Sequence, residues 1–247
     1  MKTIDLNCDL GEGCSFDAEL MPLITSANIA CGAHAGDEAT MRATVALAKK
    51  HGVAIGAHPG YPDLAGFGRR DLEMTPDELR ATVVVQAGAV IAGARVAGAA
   101  VRHVKPHGAM YNHAARDPAM AGTIAAAIRD LDPALVLVGL AGSASIEAAR
   151  AIGLRVAEEG FADRRYEPDG SLRSRRLEGA LLGPADAAAQ AVSIAREGVV
   201  TATDGSTVAV RADTICIHGD GPAAVETATA VRAALARAGI TVAALRD

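Results

Sequence analysis

Tryptophan is missing from this sequence, and Phe and Tyr together supply only six of its 247 residues. A core with so few large aromatic rings has to be filled by small aliphatic side chains, and half of the chain is hydrophobic, mostly alanine and valine, which suits closely packed helices. No G-x-x-x-x-G-K-[ST] phosphate loop is present. The glycine-containing 139-GLAGSAS-145 lacks the dinucleotide spacing and is explained by a strand-to-helix turn with Ser143 as cap, so nucleotide chemistry calls for another chain. The 24 basic residues form no stripe that tracks a phosphate backbone, and the net charge of −5 argues against nucleic acid as a partner. The N-terminal 1-MKTIDLNCD-9 has no apolar run before a cleavage signature, and the apolar segments elsewhere are expected to be interrupted before they reach a membrane-spanning length. A cytoplasmic protein with no membrane partner is the expectation. Cys8, Cys14, Cys31 and Cys216 show no paired zinc-type spacing, and a chain of this length does not need disulfides. Each is read as a small buried hydrophobe, Cys31 being the thiol to watch.

What the sequence does have is an alternation. Seven β-rich runs, 3-TIDLNCD-9, 27-ANIAC-31, 53-VAIGAH-58, 101-VRHVKPH-107, 134-ALVLVG-139, 154-LRVAEE-159 and 213-DTICIH-218, are separated by alanine-rich helical patterns. That order predicts parallel βα units of the α/β class, in one domain covering residues 1–247. Asp37 and Gly52 bound one helix, 75-TPDE-78 offers a capping box with proline at the first position, and Pro118, Pro184 and Pro222 mark further helix starts. In 199-VVTATDGSTVAV-210, Asp204-Gly205 signals a hairpin before the last strand. The loop 161-FADRRYEPDGSLRSRR-176 is long and charged, as functional loops often are.

Side chains alternate along a strand, so Asp5, Asn7 and Asp9 share one face, as do His103, Lys105 and His107, and as do Cys216, His218 and Asp220. Strands in βα units are covered on both faces, so buried polar faces of this kind must be satisfied or used. Asp9, His34, His58, Lys105, His107, Glu159, His218 and Asp220 fall toward the C-terminal ends of their strands, the rim where (β/α) barrels build active sites. His103 and His107 are four apart, but Pro106 argues for extended chain, in which they lie about 13 Å apart and form no chelate. His34, His58, His218 and Asp220 are the set that would meet across a barrel mouth to hold a divalent metal.

The stretches 5-DLNCDLGE-12, 28-NIACGAHAGD-37, 56-GAHPGYPDLAGFGRR-70, 104-VKPHGAMYN-112, 158-EEGFADRRY-166 and 217-IHGD-220 together resemble the LamB/YcsF family, in order and over nearly the whole chain. The resemblance implies a seven-stranded, single-domain (β/α) barrel of glycoside hydrolase and deacetylase shape, in agreement with the strand count. It also implies an activity, the ATP-dependent opening of the 5-oxoproline lactam to L-glutamate with two partner subunits, B and C. ATP would then be bound mainly by those partners. On this reading Asp9 or Asp220 is the general base, Lys105 stabilises an oxyanion or phosphoryl charge, and His34, His58, His107 or His218 passes a proton to the leaving nitrogen. Asn7 and Glu12 orient their neighbours, Glu159 contacts substrate, and Arg69, Arg70 and Arg164 hold its carboxylate. For Arg69 and Arg70 a surface ion pair with Asp71 is the plainer alternative; Tyr61 and Tyr111 are expected either to wall the pocket or to donate a proton. Two competing readings are a metal-dependent amide or N-acetyl hydrolase acting alone, and a carrier that binds a small carboxylate without chemistry.

Overall fold

Seven parallel strands close a barrel in the computed structural model, which describes residues 2–245. In chain order these are β1 (Thr3–Leu10), β2 (Ser26–Ala30), β3 (Ala54–His58), β4 (Val101–Val104), β5 (Val136–Leu140) and β6 (Arg155–Phe161). Next come β7 (Val199–Thr201) and β8 (Thr207–Ala209), an antiparallel hairpin outside the barrel, and then β9 (Thr214–His218), which pairs with both β6 and β1 and completes the ring. The seven expected runs are the seven barrel strands, and the hairpin turns at Gly205, whose φ of 86° suits a residue without a Cβ. One strand was not expected: the two-residue β10 (Thr241–Val242) lies parallel to Thr3 and Ile4, ahead of the part of β1 that pairs with β2.

The helices between the strands start where the local chemistry directs them. After α1 (Asp17–Leu20), α2 (Glu38–His51) begins at Asp37, whose carboxylate accepts from Thr40 N at 2.7 Å, and ends at left-handed Gly52. Thr75 and Glu78 form the reciprocal capping box of α3 (Pro76–Val96). There follow α4 (Gly108–Ala114), α5 (Pro118–Leu131), α6 (Ala144–Ala151), α7 (Pro184–Glu197) and α8 (Ala224–Arg237). Pro118 and Pro184 open their helices as expected, but α8 begins two residues beyond Pro222, because Ala224 N turns back to Gly221 O at 3.1 Å and keeps the preceding segment a loop. A second correction concerns α3, which among the described residues is the one helix long and apolar enough to cross a membrane. Leu79, Val83, Ala87, Val90 and Ala94 on this helix are buried, and it packs on α5 and β3.

Small side chains let the helices pack closely around the sheet, while the barrel interior is polar. Leu6 and Cys8 of β1 join the hydrophobic layer; Asp5, Asn7 and Asp9, all buried, bond across the barrel. Asp5 accepts from Thr25 and Ser26 at 2.7 Å each and from Thr214 at 2.5 Å. Burial lifts the Asp5 carboxyl above its ordinary range despite these three donors. Asn7 donates to Glu159 at 2.9 Å and Thr214 at 2.7 Å, and Asn28 donates to Asn7 and Asp9 at 2.8 Å each. The His103 Nε2–H group donates to Asn28 Oδ1 at 2.8 Å. Its ring crosses β3 at Gly56, where any Cβ would overlap the imidazole.

Candidate active site

Strand β4 stops at Val104 because Pro106 has no N–H, but the chain stays pinned to the end of β3: Lys105 N donates to Ala57 O at 3.0 Å and His107 N to Pro59 O at 2.8 Å. That extension carries Lys105 into the barrel mouth. Its buried Nζ lies 3.0 Å from Asp9 Oδ1, 2.9 Å from Glu159 Oε1 and 3.2 Å from Cys216 Sγ. Burial works against the ammonium, yet Asp9 foremost, with Cys216 and Glu159, holds its pKa well above that of an ordinary lysine. The Asp9 carboxyl, for which burial is again the opposing influence, is held well below its usual range by His58 and Lys105. Lys105 is therefore a fixed cation between two fixed carboxylates.

Beside it, His58 Nδ1–H donates to Lys105 O at 2.7 Å and His107 Nε2–H donates to Phe67 O at 2.9 Å, since a carbonyl can only accept. Both tautomers are thereby set, and the remaining lone pairs, His58 Nε2 and His107 Nδ1, face each other at 2.9 Å. Two acceptors at that distance require a proton or a cation between them. His34 stacks on His107 at 3.8 Å, and Glu12 Oε1 lies 3.4 Å from His34 Nε2, 3.4 Å from His107 Nδ1 and 4.0 Å from His58 Nε2. Burial, then His58, lowers the basicity of His34 and strongly lowers that of His107, which disfavours an extra proton there. Glu12 Oε1 and both His34 ring nitrogens are buried without a hydrogen-bond partner. These four ligand atoms lie within 4.8 Å of one another, and three imidazole nitrogens with one carboxylate oxygen are a donor set that suits zinc or a similar divalent ion.

Across the mouth, His218 Nδ1–H donates to Asp163 at 2.9 Å, an orientation that leaves Nε2 as the basic nitrogen. The imidazole stacks on Phe161 at 5.7 Å, and Lys105 Nζ sits 5.4 Å from the centroid of the same ring. Asp220 Oδ2 receives Arg69 at 2.5 Å and Arg175 at 3.1 Å. Although part-burial opposes it, Arg175 and Arg69 hold the Asp220 carboxyl below its usual range. Above these groups opens a cavity of about 910 Å³, walled by residues that include Lys105, His107, Tyr111, Ser143, Arg164 and His218.

The candidates singled out in the sequence thus fall into three groups. Asn7, Asp9, Lys105 and Glu159 are joined by direct hydrogen bonds or ion pairs, and Glu12, His34, His58 and His107 form the imidazole–carboxylate cluster. His218 and Asp220 were expected with His34 and His58 but do not join them: His218 falls instead with Asp9 and Cys216, whose ligand atoms lie within 4.8 Å of one another, and two arginines hold Asp220. Asp71 is not the partner of Arg69 or Arg70: the loop turns them to Asp220 and Asp63. Arg164 is buried, with Nε unpartnered, and Tyr111 lines the cavity, whereas Tyr61 is packed beneath it with its hydroxyl against Met120 Sδ. Cys31 is no activated thiol, since burial pushes it up to about 12. Sequence reasoning missed Asp163 and Arg175, both in the long 160s loop it had marked by charge and length.

A parallel barrel with buried acid–base groups and a cavity at the C-terminal ends of its strands defines an enzyme of the class that works from the barrel mouth. The LamB/YcsF family model matches residues 4–247, and the chain belongs to that family. It is 54% identical over 252 residues to the A chain of the 5-oxoprolinase of Methylococcus capsulatus, covering 99% of this chain and 96% of the relative. The crystal structure of a lactam utilization protein from Thermus thermophilus matches with a TM-score of 0.91 and 47% identity, over 98% of this chain and all 100% of that one. A family 4 carbohydrate esterase from Streptomyces lividans, at a TM-score of 0.55, 9% identity and coverage of 99% and 93%, shares the fold alone, the deacetylase-like barrel expected from the sequence.

Proposed function

We propose that this chain, one barrel domain over residues 1–247, is the barrel component of a cytoplasmic ATP-dependent 5-oxoprolinase that opens the lactam to L-glutamate together with subunits B and C. The names of its relatives support the substrate. The observation that carries the chemistry is a fixed ammonium, Lys105, sharing the Phe161 ring with an imidazole, His218, whose free nitrogen is set by Asp163.

A lactam is an unreactive amide, and ATP bound on the partner subunits activates it by phosphorylating the carbonyl oxygen. Water then adds to that carbon, the C–N bond breaks, the ring nitrogen takes a proton, and the resulting acyl phosphate is hydrolysed by a second water to glutamate and phosphate. His218 Nε2 accepts the water's proton and returns it to the nitrogen, while Asp163 stabilises the imidazolium. Lys105 offsets negative charge growing on the oxygen. Asp9 and Glu159 keep Lys105 charged and in place, and Asn7 and Asn28 hold those carboxylates. Neither Asp9 nor Asp220 serves as the base, since cations hold both carboxyls below their usual range. Glu12, His34, His58 and His107 would hold a divalent cation, which when bound supplies a Lewis acid.

Glutamate release from 5-oxoproline, measured with this chain alone and with subunits B and C, each with and without ATP, tests the proposal. Turnover only with all three chains and ATP is the expected result. Turnover by this chain alone, without ATP and abolished by chelation, would instead establish the reading as a metal-dependent amide hydrolase, which the imidazole–carboxylate cluster favours.

A further inference from the structure

Phe161, Ala162, Asp163 and Arg164 follow one another where β6 leaves the sheet, and all four are buried, so each of their carbonyls needs a donor. Asp163 O takes the N–H of Leu182 at 2.9 Å. The other three turn to one side chain on the outer helix α7: Gln190 Nε2 donates to Phe161 O at 2.8 Å, to Arg164 O at 2.7 Å and, at a longer 3.2 Å, to Ala162 O. An amide nitrogen carries two hydrogens, so the two short bonds use one each and Ala162 O shares. Three acceptors also fix which end of the amide faces the segment, because its oxygen has no hydrogen to offer them.

The residue this amide brackets is Asp163. Gln190 ties the peptide before it to the peptide after it, and so sets the turn from which that carboxylate projects. Asp163 in turn takes the backbone N–H of His218 at 3.0 Å and its Nδ1–H at 2.9 Å, while the Phe161 ring, at the start of the same segment, stacks on the imidazole. Gln190 itself lines a separate outer hollow of about 330 Å³ with Asp186 and Ser193. We infer that Gln190 is a positioning residue for the proton transfer at His218: it touches no reacting atom, and holds Asp163 where that carboxylate keeps the imidazole in its Nδ1–H tautomer. This rests on the proposed function, in which His218 Nε2 takes the proton of the attacking water.

Gln190→Met keeps the length of the side chain and removes its donors, and Gln190→Glu keeps the shape but turns acceptors toward acceptors. In the three-chain complex with ATP, each should lower kcat by about ten- to a hundredfold, the cost of misplacing a group by up to about 1 Å, with KM within about threefold. Gln190→Met/Asp163→Asn should turn over within about threefold of Asp163→Asn alone, since the amide acts through that carboxylate, whereas a general structural role would multiply the two losses. Ser193→Ala is the control: its hydroxyl also leaves α7 for a carbonyl, Val199 O at 2.8 Å, but in the outer hairpin. Its kcat should stay within about twofold of the wild type. A second readout needs neither partners nor ATP. In this chain labelled with 15N-histidine, the His218 nitrogens, identified by their loss in His218→Gln, should report Nδ1–H in the wild type and in Ser193→Ala, and a shift toward Nε2–H in Gln190→Met. Multiplied losses in the double variant, a kcat change below about twofold, or His218 nitrogens unmoved in both Gln190 variants would overturn the inference. If the wild-type complex makes no glutamate while the His218 tautomer still shifts, the lactam reading fails and the positioning role stands.

Discussion

Replacing Lys105 with methionine keeps an unbranched side chain, one atom shorter, and removes its charge. The Lys105 side chain is 3% exposed and its ammonium lies 3.0 Å from Asp9 and 2.9 Å from Glu159, so the variant leaves buried carboxylates without their shared cation. Breaking such a buried arrangement costs about 3–5 kcal/mol. In a chain of this size that lowers the melting temperature by roughly 6–20 °C, to be read by calorimetry at neutral pH. The pH dependence gives a second, independent reading. In the intact protein Lys105 has a raised pKa, so its contribution is fully present below the ordinary lysine value and is lost only as pH rises through the raised one. In Lys105→Met the Asp9 carboxyl loses its ammonium partner and binds a proton more readily, and protonation relieves the unpaired charge. The stability deficit of the variant should therefore shrink as pH is lowered from about 8 toward 5, and Lys105→Met/Glu159→Gln should recover a substantial part of it. A deficit below about 1 kcal/mol, or one that is the same across that pH range, would refute the account of Lys105 as the cation that holds the floor of the site together.

Asp163→Asn should lower turnover of the complex by about a hundredfold or more through kcat rather than KM, since Asp163 sets the imidazole that moves the proton, and unchanged turnover would remove this pair from the mechanism. His103 is buried neutral, its pKa taken from the ordinary 6.5 down to about 3 by burial and then by Lys105. Its folded pKa lies below its unfolded one, so stability present above the unfolded value is lost as pH falls from about 6.5 toward 3, by up to about 5 kcal/mol; denaturation curves of His103→Gln should lose much of that slope. Thr75→Ala removes the capping box of α3 and should cost about 1 kcal/mol in urea unfolding without affecting activity. Incubation with divalent ions followed by dialysis should leave about one ion per chain, and Glu12→Gln should weaken its retention; metal retained equally by both would displace the proposed ligand set.

The strand order was legible because each barrel strand is a short β-rich run between helical patterns, and the alternation of Asp5, Asn7 and Asp9 with Ile4, Leu6 and Cys8 disclosed which face was polar. β10 escaped notice because two residues carry no period and the strand exists only by pairing with Thr3 and Ile4. Within the site, Lys105 and His107 could be placed at the rim from spacing and Pro106. The partners of His218 and Asp220 could not, because Asp163, Arg69 and Arg175 come from loops whose course is set by turns rather than by a repeating pattern. Gly68 is an example: it adopts a φ of 61° and passes so close to His34 and His107 that a Cβ would press on both, and only the folded loop reveals why those two rings meet.

The last barrel strand to be synthesised is a neighbour of the first. β9 and β10 both pair with β1, and Thr214 reaches Asp5 across a separation of 209 residues. During translation the polar side of β1, with Asp5, Asn7 and Asp9, therefore waits for one of its two flanking strands until almost the whole chain has been made. Glu159 and Lys105 can assemble with it only provisionally until then, so the reaction centre is finished by the same event that seals the ring. A chain interrupted before residue 214 lacks the β9 seam and has no completed floor for the site, which links the appearance of chemical competence to the end of folding rather than to any earlier local step.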